Sequence, residues 1–542
     1  PAGEDELSGI TDTGCHATLS RATPTVWNQC MTAPRSIPVS VGTGPLAPDD
    51  VVAVARYFAP VVIDPAALVE VEASRALIVA LADDVEPHYG ISTGFGALAT
   101  TFIAEDRRAQ LQRSLIRSHA AGTGAEVEAE VVRALMLLRL STLCTGRTGV
   151  RPVVVETYAA MLNAGITPIV REYGSLGCSG DLAPLSHIAL AAMGEGTVRV
   201  HATEAPGAGL PAAEIAAAEA LAAAGIAPLE LAEKEGLALI NGTDGMLGML
   251  VLALHDLDRL IVSADVAAAM SVESQLGPDA AFAADPQPLR AQVGQALSAA
   301  NMLAALADSP MVASHKGPEC TRVQDAYSLR CSPQVHGAVR DTAAHARMIA
   351  ERELASAIDN PVVTLDGRVE SNGNFHGAPV AYVLDFLAIA VADLASIAER
   401  RTDRALDKAR SNGLPPFLAH EVGVDSGLMI AQYASAGIVS ELKRLAAPAS
   451  VDSIPSSAMQ EDHVSMGWAA ARKLRRSIDG LARVIGIEIM TATRALDLRA
   501  PLMPGPATGA VHALVRTVVA GPAPDRFLSP EMEAVSTLVA EG

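Results

Sequence analysis

The segment from Gly174 to His187 concentrates residue types that can do chemistry, because a cysteine, a serine and an aspartate stand there among glycines. Its central run, Gly-Cys-Ser-Gly-Asp, is close to the turn that exposes a nucleophilic serine in hydrolases. That turn needs a glycine two residues after the serine, where this chain has Asp181. A serine hydrolase is therefore disfavoured. Taken alone, the segment predicts a helix start, with Asp181 as N-cap and Pro184 in the first turn.

Other motifs for cofactor chemistry are incomplete in this chain. No glycine-rich loop has the GxxxxGK[ST] spacing that cradles phosphates, and no GxGxxG follows a strand pattern. His420-Glu421 lacks the second histidine of a zinc-binding HExxH pair, and the thirteen histidines show no ligand spacing. We therefore expect neither a nucleotide site nor a catalytic metal.

A series of segments resembles, in the same order, the aromatic amino acid ammonia-lyases, a family that includes aminomutases. The segments are Tyr89–Gly96, Leu115–Gly122, Gly174–His187, Glu235–Thr243, Gln324–Gln334, Asp359–Pro361, Gly373–Gly377 and Ser457–Met466. A single loop can match by chance, whereas an ordered series over roughly residues 45 to 500 does not. The resemblance implies a mainly α fold of fumarase/aspartase-like architecture, with a long-helix bundle core and a smaller N-terminal domain that carries a tyrosine loop.

The resemblance also implies an electrophile made from the chain itself. In the family an internal Ala-Ser-Gly triad cyclises to a 4-methylidene-imidazol-5-one, and Cys178, Ser179 and Gly180 stand at those positions. The amide nitrogen of Gly180 would attack the carbonyl carbon of residue 178, and loss of water from the ring and from Ser179 would leave a methylidene. Glycine suits the attacking position because it has no Cβ. Cys178 replaces the usual alanine, but only its carbonyl carbon enters the ring, so we expect cyclisation and no dissociable cofactor.

The same resemblance gives catalytic roles to two tyrosines and binding roles to polar side chains. Tyr89 matches the family's mobile tyrosine loop and Tyr327 a second tyrosine, and either one is the candidate base for the β-proton. Arg330 matches the residue that binds the substrate carboxylate, a task that suits its planar fork. Four further residues implied to line the substrate site are Asn241, Gln324, Asn360 and Phe375.

The residues implied to read the substrate ring resemble those of histidine-type members of the family. Ser118-His119 matches the pair of histidine-type members, whereas phenylalanine-type members have Phe-Leu at this position and tyrosine-type members have His-Leu. Glu461 matches a glutamate that faces an imidazole in the family. A phenyl ring would leave these polar groups unpaired. Sites built for such hydrogen bonds discriminate against the apolar analogue by a factor of roughly 10⁴–10⁵ in kcat/KM. The implied reaction is elimination of ammonia from L-histidine to give trans-urocanate, the first step of histidine degradation. A phenylalanine or tyrosine lyase, an aminomutase and an inactive helical scaffold are the alternatives.

Long apolar helices are predicted to position these polar loops. Half of the 542 residues are hydrophobic but only 3% are aromatic, a composition that favours packed helices over a sandwich or barrel. Apolar residues recur at helical spacing, and such helices need one another to cover their faces, which predicts a bundle. The predicted helices span residues 51–58, 65–81, 107–117, 126–144, 211–224, 245–269, 335–357, 378–406, 426–445 and 462–494. The helix over 211–224 is predicted from the helix propensity of its alanines alone.

Shifts in composition predict the domain boundaries. Residues 1–40 are rich in Thr, Gly, Pro and Ser without sustained periodicity, which predicts a flexible N-terminal extension. A Gly/Pro-rich stretch at 146–152 separates an N-terminal domain at 41–148, with the tyrosine loop and the substrate-ring pair, from a helical bundle at 149–542. The family resemblance implies a homotetramer whose sites are shared between subunits.

Charge and hydropathy limit the partners and the location. The chain has 61 acidic and 40 basic residues, a net charge of −21, which disfavours nucleic acid and anionic membranes as partners. Mean hydropathy is +0.28, yet the most apolar segment, 379–398, contains Asp385 and Asp393, so we expect a buried helix there. The six cysteines form no CxxC pair, and we see no secretory signal, which together favour the cytoplasm.

Overall fold

Helices dominate the computed structural model of the chain, which describes residues 37–84, 86–96, 100–177, 180–201, 213–318, 320 and 322–542. The helices of this part are α1 (Pro48–Tyr57), α2 (Pro65–Ala82), α3 (Glu105–His119), α4 (Ala129–Cys144), α5 (Pro152–Asn163), α6 (Leu182–Ala192), α7 (Ala217–Ala223), α8 (Glu235–Ala238), α9 (Asp244–Ser274), α10 (Val293–Ala305), α11 (Pro310–Ala313), α12 (Tyr327–Arg330), α13 (Ser332–Leu354), α14 (Ala378–Leu406), α15 (Met429–Leu445), α16 (Gly467–Asp497), α17 (Pro506–Val515) and α18 (Ser529–Glu541). The mainly α prediction is confirmed.

Short strands form small sheets between the helices. They are β1 (Val39–Val41), β2 (Val61–Ile63), β3 (Thr123–Glu126), β4 (Ile166–Pro168), β5 (Arg171–Tyr173), β6 (Thr197–Val200), β7 (Glu214–Ala216), β8 (Val362–Val363) and β9 (Val369–Glu370). The pair β1–β2 is parallel, with Val39 opposite Val61. The pairs β3–β5 and β8–β9 and the sheet β4–β6–β7 are antiparallel.

The centre of the bundle is formed by α9, α13, α14 and α16, in which α9 and α14 each pack against the other three helices. Every residue of α9 from Asp244 to Leu254 is buried, as expected of a helix surrounded by others. Helix α16 begins with a buried stripe that includes Trp468, Ala471 and Leu474, and it becomes buried on nearly all sides after Val484. One core cluster runs from Val39 to Val539, so the bundle is a rigid support for the loops at its ends.

Most predicted helices exist, with shifted ends. The segment 378–406 is a helix with the predicted bounds, and α16 starts five residues later than predicted, at Gly467. The prediction of a helix over 211–224 is wrong at its start, where Glu214–Ala216 pairs with β6 as strand β7. Residues 211 and 212 lie outside the described residues. Helix propensity of alanine was the only basis for that prediction, and sheet pairing overrides it.

Helix α14 is long and apolar enough to cross a membrane by length and composition, but 67% of its most apolar window is buried inside the fold. A helix in the middle of a bundle has this property too. Its Asp385 is buried and accepts hydrogen bonds from Lys473 Nζ at 2.6 Å and from the backbone N–H of Ser450 at 2.7 Å. The expectation of a buried core helix agrees with this packing.

The domain boundaries stay predictions. Most of the predicted N-terminal extension, residues 1–36, lies outside the described residues, and its last two residues, Val39 and Ser40, lie in β1. The stretch 146–152 links α4 to α5.

Candidate active site

The predicted electrophile loop connects β5 to α6 and is described on both sides of the triad. Cys178 and Ser179 lie outside the described residues, while Gly180 is described and has φ +77°, which favours glycine. Its backbone lies in a parallel bridge with Gly242, and the N–H of Asp181 donates to Gly242 O at 2.7 Å. A Cβ at Gly180 would overlap the backbone of Gly242, so only glycine fits at this position.

The other side of the loop is held by the segment that leads into α16. Ser465 Oγ donates to Gly177 O at 3.0 Å, and the N–H of Met466 donates to Leu176 O at 2.9 Å. Both residues are close in sequence to Glu461, so the loop is anchored by the segment that carries the predicted imidazole partner.

Asp181 has a different partner from the one expected. Helix α6 starts at Leu182 as predicted, but the Asp181 carboxylate makes no cap hydrogen bond to it. Its Oδ2 instead accepts from the backbone N–H groups of Gly245 and Met246, at 2.9 Å each, in the first turn of α9. Oδ1 accepts from Ser175 Oγ at 2.9 Å. The prediction of a local cap is therefore wrong, because the donors of a neighbouring helix lie closer to the carboxylate.

Asn241 lies directly beside the electrophile loop. It precedes Gly242 and is buried, with 3% of its surface exposed. Its Nδ2 donates to Asn360 O at 2.9 Å, so the structure brings these two predicted site residues together. The guanidinium of Arg139 donates to Asn241 O, which fixes the backbone of the same residue.

The tyrosine loop is folded on itself. The hydroxyl of Tyr89 accepts a hydrogen bond from the N–H of Gly96 at 3.2 Å, across the two ends of the loop. Ser92 is fully buried, and its Oγ accepts from the N–H of His88 at 2.9 Å. Residues 97–99, which follow the loop, lie outside the described residues.

Two close approaches place this loop in the site. A Cβ at Gly90 would overlap the side chain of Leu237, which belongs to α8 and lies four residues before Asn241. A Cβ at Gly96 would lie 3.2 Å from Ser457 Oγ, in the segment that carries Glu461. The loop therefore spans the space between the asparagine segment and the glutamate segment.

His119 and Glu461 lie close enough to interact electrostatically. Burial lowers the pKa of His119, the hydrogen bond to Leu115 O raises it, and the nearby Glu461 carboxylate raises it further. Leu115 O accepts only, so His119 Nδ1 carries the proton of this 2.9 Å hydrogen bond and Nε2 is an acceptor in the neutral ring. Ser118 Oγ donates to the same carbonyl at 3.0 Å. The carboxylate of Glu461 accepts from Ser456 Oγ at 2.8 Å.

This pair offers two acceptors of different kinds, an imidazole nitrogen and a carboxylate. An imidazole ring, which carries one or two N–H donors, can satisfy both, whereas a phenyl ring has no donor. The arrangement is therefore suited to a polar aromatic ring.

The second tyrosine and the arginine lie elsewhere on the monomer. Tyr327 and Arg330 are the two ends of α12, and the Arg330 guanidinium lies 4.8 Å from the centre of the Tyr327 ring. Tyr327 is 72% exposed, and Gln324 is exposed as well. In the described part of the chain, no hydrogen bond, ion pair or ring contact joins these three residues to Gly180, Asn241 or His119.

Phe375 is half-buried in the loop before α14, and no ring contact joins it to another described aromatic residue. The residue after it forms a contact that sequence reasoning missed. His376 Nε2 lies 3.2 Å from His463 Nδ1, with the two rings stacked 5.3 Å apart. His463 lies between Glu461 and Ser465, so this pair joins the Phe375 loop to the segment that anchors the electrophile loop.

Among the residues that the structure describes, no group of three or more His, Cys, Asp or Glu side chains is arranged to hold a metal ion. The expectation that catalysis uses no metal stays a prediction.

Comparison with known proteins identifies the family. A family model described as aromatic amino acid lyase matches residues 46–517. The chain belongs to the aromatic amino acid lyase family. This lyase is 63% identical over 506 residues to a histidine ammonia-lyase from Streptomyces avermitilis, which covers 93% of this chain and 97% of that protein. A histidine ammonia-lyase from Anaeromyxobacter dehalogenans is 49% identical over 495 residues, or 91% of this chain and 97% of that one.

Solved structures place the fold of this lyase in the same family. The crystal structure of a histidine ammonia-lyase from Trypanosoma cruzi superposes with a TM-score of 0.84 at 37% identity and covers 93% of each chain. A tyrosine aminomutase from Streptomyces globisporus superposes with a TM-score of 0.86 at 36% identity, over 93% of this chain and 97% of that one. The family resemblance and the helical fold expected from the sequence are both confirmed.

Proposed function

We propose that this lyase eliminates ammonia from L-histidine to give trans-urocanate, the first step of histidine degradation. The observation that carries the proposal is the polar pair of His119 and Glu461 in a chain that is 63% identical to a histidine ammonia-lyase. A carboxylate and a neutral imidazole within electrostatic range of each other offer two acceptors for the N–H groups of a substrate imidazole.

The electrophile of the proposed reaction comes from Cys178, Ser179 and Gly180. The residues fit this group, because the turn at Gly180 has room for glycine only and holds its backbone against Gly242. A methylidene-imidazolone, once formed by loss of two waters, supplies an electron acceptor that ordinary side chains lack. The side chain of Cys178 takes no part in ring closure.

The side chains around the loop have binding roles in the proposal. Arg330 and Asn241 bind the substrate carboxylate, since a guanidinium fork and an amide N–H are both suitable donors. His119, supported by Ser118, and Glu461 bind the substrate imidazole. Residues that complete the wall of the site are Gln324, Asn360 and Phe375.

A tyrosine removes the proton from the β-carbon, and the electrons of that C–H bond form the double bond as the C–N bond breaks and ammonia leaves. The candidates are Tyr89 and Tyr327. Tyr89 lies in the loop that contacts the asparagine and glutamate segments, which supports it as the base.

We also propose a homotetramer with sites shared between subunits. The support is that Tyr327, Arg330 and Gln324 lie on a largely exposed part of the monomer, apart from the group around Gly180. In an oligomer, a neighbouring subunit can supply these three residues, which the chain does not bring to its own site.

The described thiols of Cys144, Cys320 and Cys331 are free, which supports a cytoplasmic location.

A phenylalanine or tyrosine lyase or an aminomutase is the second candidate, since a tyrosine aminomutase shares the fold with a TM-score of 0.86. The test is product analysis of the purified chain with L-histidine, L-phenylalanine and L-tyrosine. We expect trans-urocanate and ammonia from histidine and no β-amino acid. Turnover of phenylalanine or tyrosine in preference to histidine would refute the proposal.

The mass of the intact protein tests the electrophile directly. We expect the chain to weigh two waters less than its sequence, and Ser179→Ala to keep the full mass and lose activity. If the wild-type chain has the full mass, the electrophile does not form and the protein is an inactive scaffold.

A further inference from the structure

A buried lysine lies behind the two asparagines of the site. Lys234 Nζ lies 2.5 Å from Asp359 Oδ2, and neither side chain is exposed to solvent. The ammonium also donates to Thr148 O at 2.8 Å. The free-energy cost of removing both charges from water offsets most of the attraction between them. A pair of this kind therefore contributes little to stability by itself.

The backbone at Lys234 is also unusual. Its φ is +67°, in the left-handed region that side-chain-bearing residues rarely adopt, directly before α8. A residue held in that conformation away from solvent needs surrounding contacts that compensate for the strain. The contacts of Lys234 with Asp359 and Thr148 are of this kind.

The ion pair begins a chain of hydrogen bonds that ends at Asn241. Asp359 Oδ1 accepts from the N–H of Asn360 at 2.7 Å, while Oδ2 binds the lysine. Asn360 O then accepts from Asn241 Nδ2 at 2.9 Å. Asn241 is followed by Gly242, whose backbone lies against Gly180. The lysine is therefore connected through two residues to the side-chain amide of Asn241, the neighbour of Gly242.

The last hydrogen bond of the chain orients the Asn241 side chain. An amide nitrogen has two N–H donors, and the one directed at Asn360 O fixes the plane of the group. The second N–H then points in a defined direction, where it can donate to a carboxylate. A shift of Asn360 would rotate this donor without moving the backbone of Asn241.

The backbones of the two segments are held by other groups. Arg139, which is also fully buried, donates to Asn241 O and, through Nη2, to Ile358 O at 2.9 Å. Asn372 Nδ2 donates to Asp359 O at 3.0 Å. The fold of the segments thus does not depend on Lys234 alone, and the specific effect of the lysine is on the carboxylate of Asp359.

We propose that Lys234 is a positioning residue, which acts through Asp359 and Asn360 to aim the amide of Asn241 at the carboxylate of the substrate. The proposal rests on the proposed function, because it assigns Asn241 to carboxylate binding. The lysine itself touches no substrate.

The test removes both charges together. Lys234→Met alone would leave Asp359 buried without a counter-charge and destabilise the fold. The double variant Lys234→Met/Asp359→Asn avoids this and keeps an oxygen that accepts from Asn360. We expect it to fold and to weigh two waters less than its sequence, since Arg139 still holds the Asn241 backbone. We expect kcat/KM for L-histidine to fall about 10²-fold, as for other displacements of a positioned group.

Arg133→Met is the matched control. Arg133 is a buried cation on the same helix as Arg139, and it donates to the carbonyls of Val54 and Leu162 at 2.9 and 3.3 Å. Its removal also deletes a buried charge, but its hydrogen bonds go to segments other than those of the asparagines. We expect a lower Tm with unchanged kcat/KM. Equal losses of activity in both variants would reduce the Lys234 effect to general destabilisation.

Coupling to Asn241 separates positioning from a merely structural role. When two substitutions act independently, their fold-losses in kcat/KM multiply, within about twofold. We expect instead that adding the double variant to Asn241→Ala lowers kcat/KM hardly further than Asn241→Ala alone. Multiplied losses, or wild-type kcat/KM in the double variant, would overturn the proposal.

Two further results keep the outcomes distinct. If the double variant does not fold, Asp359→Asn alone is the second variant, because burial already lowers the pKa of Lys234 and the unpaired lysine can lose its proton. It is expected to lower kcat/KM measurably, and a wild-type value would overturn the inference. A wild-type enzyme without activity on L-histidine refutes the proposed function, whereas an active wild type with unaffected variants refutes only the role of Lys234.

Discussion

Asp181 precedes one helix and caps another, since its Oδ2 accepts a hydrogen bond from the backbone N–H of Gly245 at 2.9 Å. The carboxylate also accepts from Ser175 Oγ, in the electrophile loop itself. One buried side chain therefore ties the starts of α6 and α9 to that loop, and its protonation affects all three.

The free energy of unfolding should depend on pH through Asp181. Burial raises its pKa from 3.8 to about 7, so the folded state binds a proton more tightly than the unfolded state. The stability from this group is complete below 3.8 and is lost as pH rises through about 7. We expect Asp181→Asn to remove this component from a plot of Tm against pH. A plot parallel to that of the wild type would contradict the assigned shift.

Gly180→Ala should prevent formation of the electrophile. A Cβ there would overlap the backbone of Gly242, and φ is +77°. We expect the intact mass to keep both waters and activity to be lost. Gly225→Ala is the matched control, because Gly225 has φ +69° with no atom within 4 Å of its would-be Cβ. Gly225→Ala should show a small loss of stability and normal activity. An active Gly180→Ala variant would contradict the steric argument.

Tyr89→Phe should lower kcat by roughly 10²–10⁴, the usual contribution of a positioned base. The variant keeps the ring and loses only the hydroxyl, which accepts a hydrogen bond from Gly96. Tyr57→Phe, at the end of α1 and 38% exposed, is the control and should retain wild-type kcat. Near-normal activity of Tyr89→Phe would leave Tyr327 as the base.

Glu461→Gln should lower kcat/KM for L-histidine by about 10- to 100-fold, which corresponds to loss of a hydrogen bond to a charged group. The amide can still accept from Ser456 Oγ, so the local fold should persist. Glu541→Gln, at the exposed end of α18, serves as control. If histidine turnover is unaffected while the control behaves as expected, Glu461 does not bind the imidazole.

The proposed sharing of sites between subunits predicts complementation between inactive variants. Arg330→Ala and Asn241→Ala should each be nearly inactive alone. Co-expressed with different tags and purified through both, the mixed oligomer should regain part of the activity, because some sites receive both intact residues. A mixed oligomer that is as inactive as its parents would place Arg330 and Asn241 in the same subunit's site.

The sequence predicted the long helices and the polar loops between them because helical periodicity and glycine-rich runs are local signals. The contact of Gly180 with Gly242 left no such signal, since it joins two backbones far apart in the chain. Lys234 was missed for a related reason. A Lys-Glu pair is typical of a solvated surface, and lysine is almost never fully buried unless paired. Only the fold reveals that Asp359 is its partner.

Family resemblance and monomer geometry contribute differently to the site. Asn241, Asn360, His119 and Glu461 were expected from motifs. Within one chain a hydrogen bond links Asn241 to Asn360, and the Glu461 carboxylate acts electrostatically on His119. Arg330 and Tyr327 come from the same motifs but lie apart in the single chain, as the proposed sharing of sites between subunits requires.

The fit of Gly180 against Gly242 makes maturation a readout of folding. The proposed ring can close only when the amide of Gly180 is held in its turn, and that turn is held by a segment synthesised later. If the proposed ring forms in this way, a newly made chain lacks its reactive group until the bundle has assembled around α9, and a misfolded chain never acquires it. The mass difference of two waters would then count correctly folded molecules, independently of any substrate.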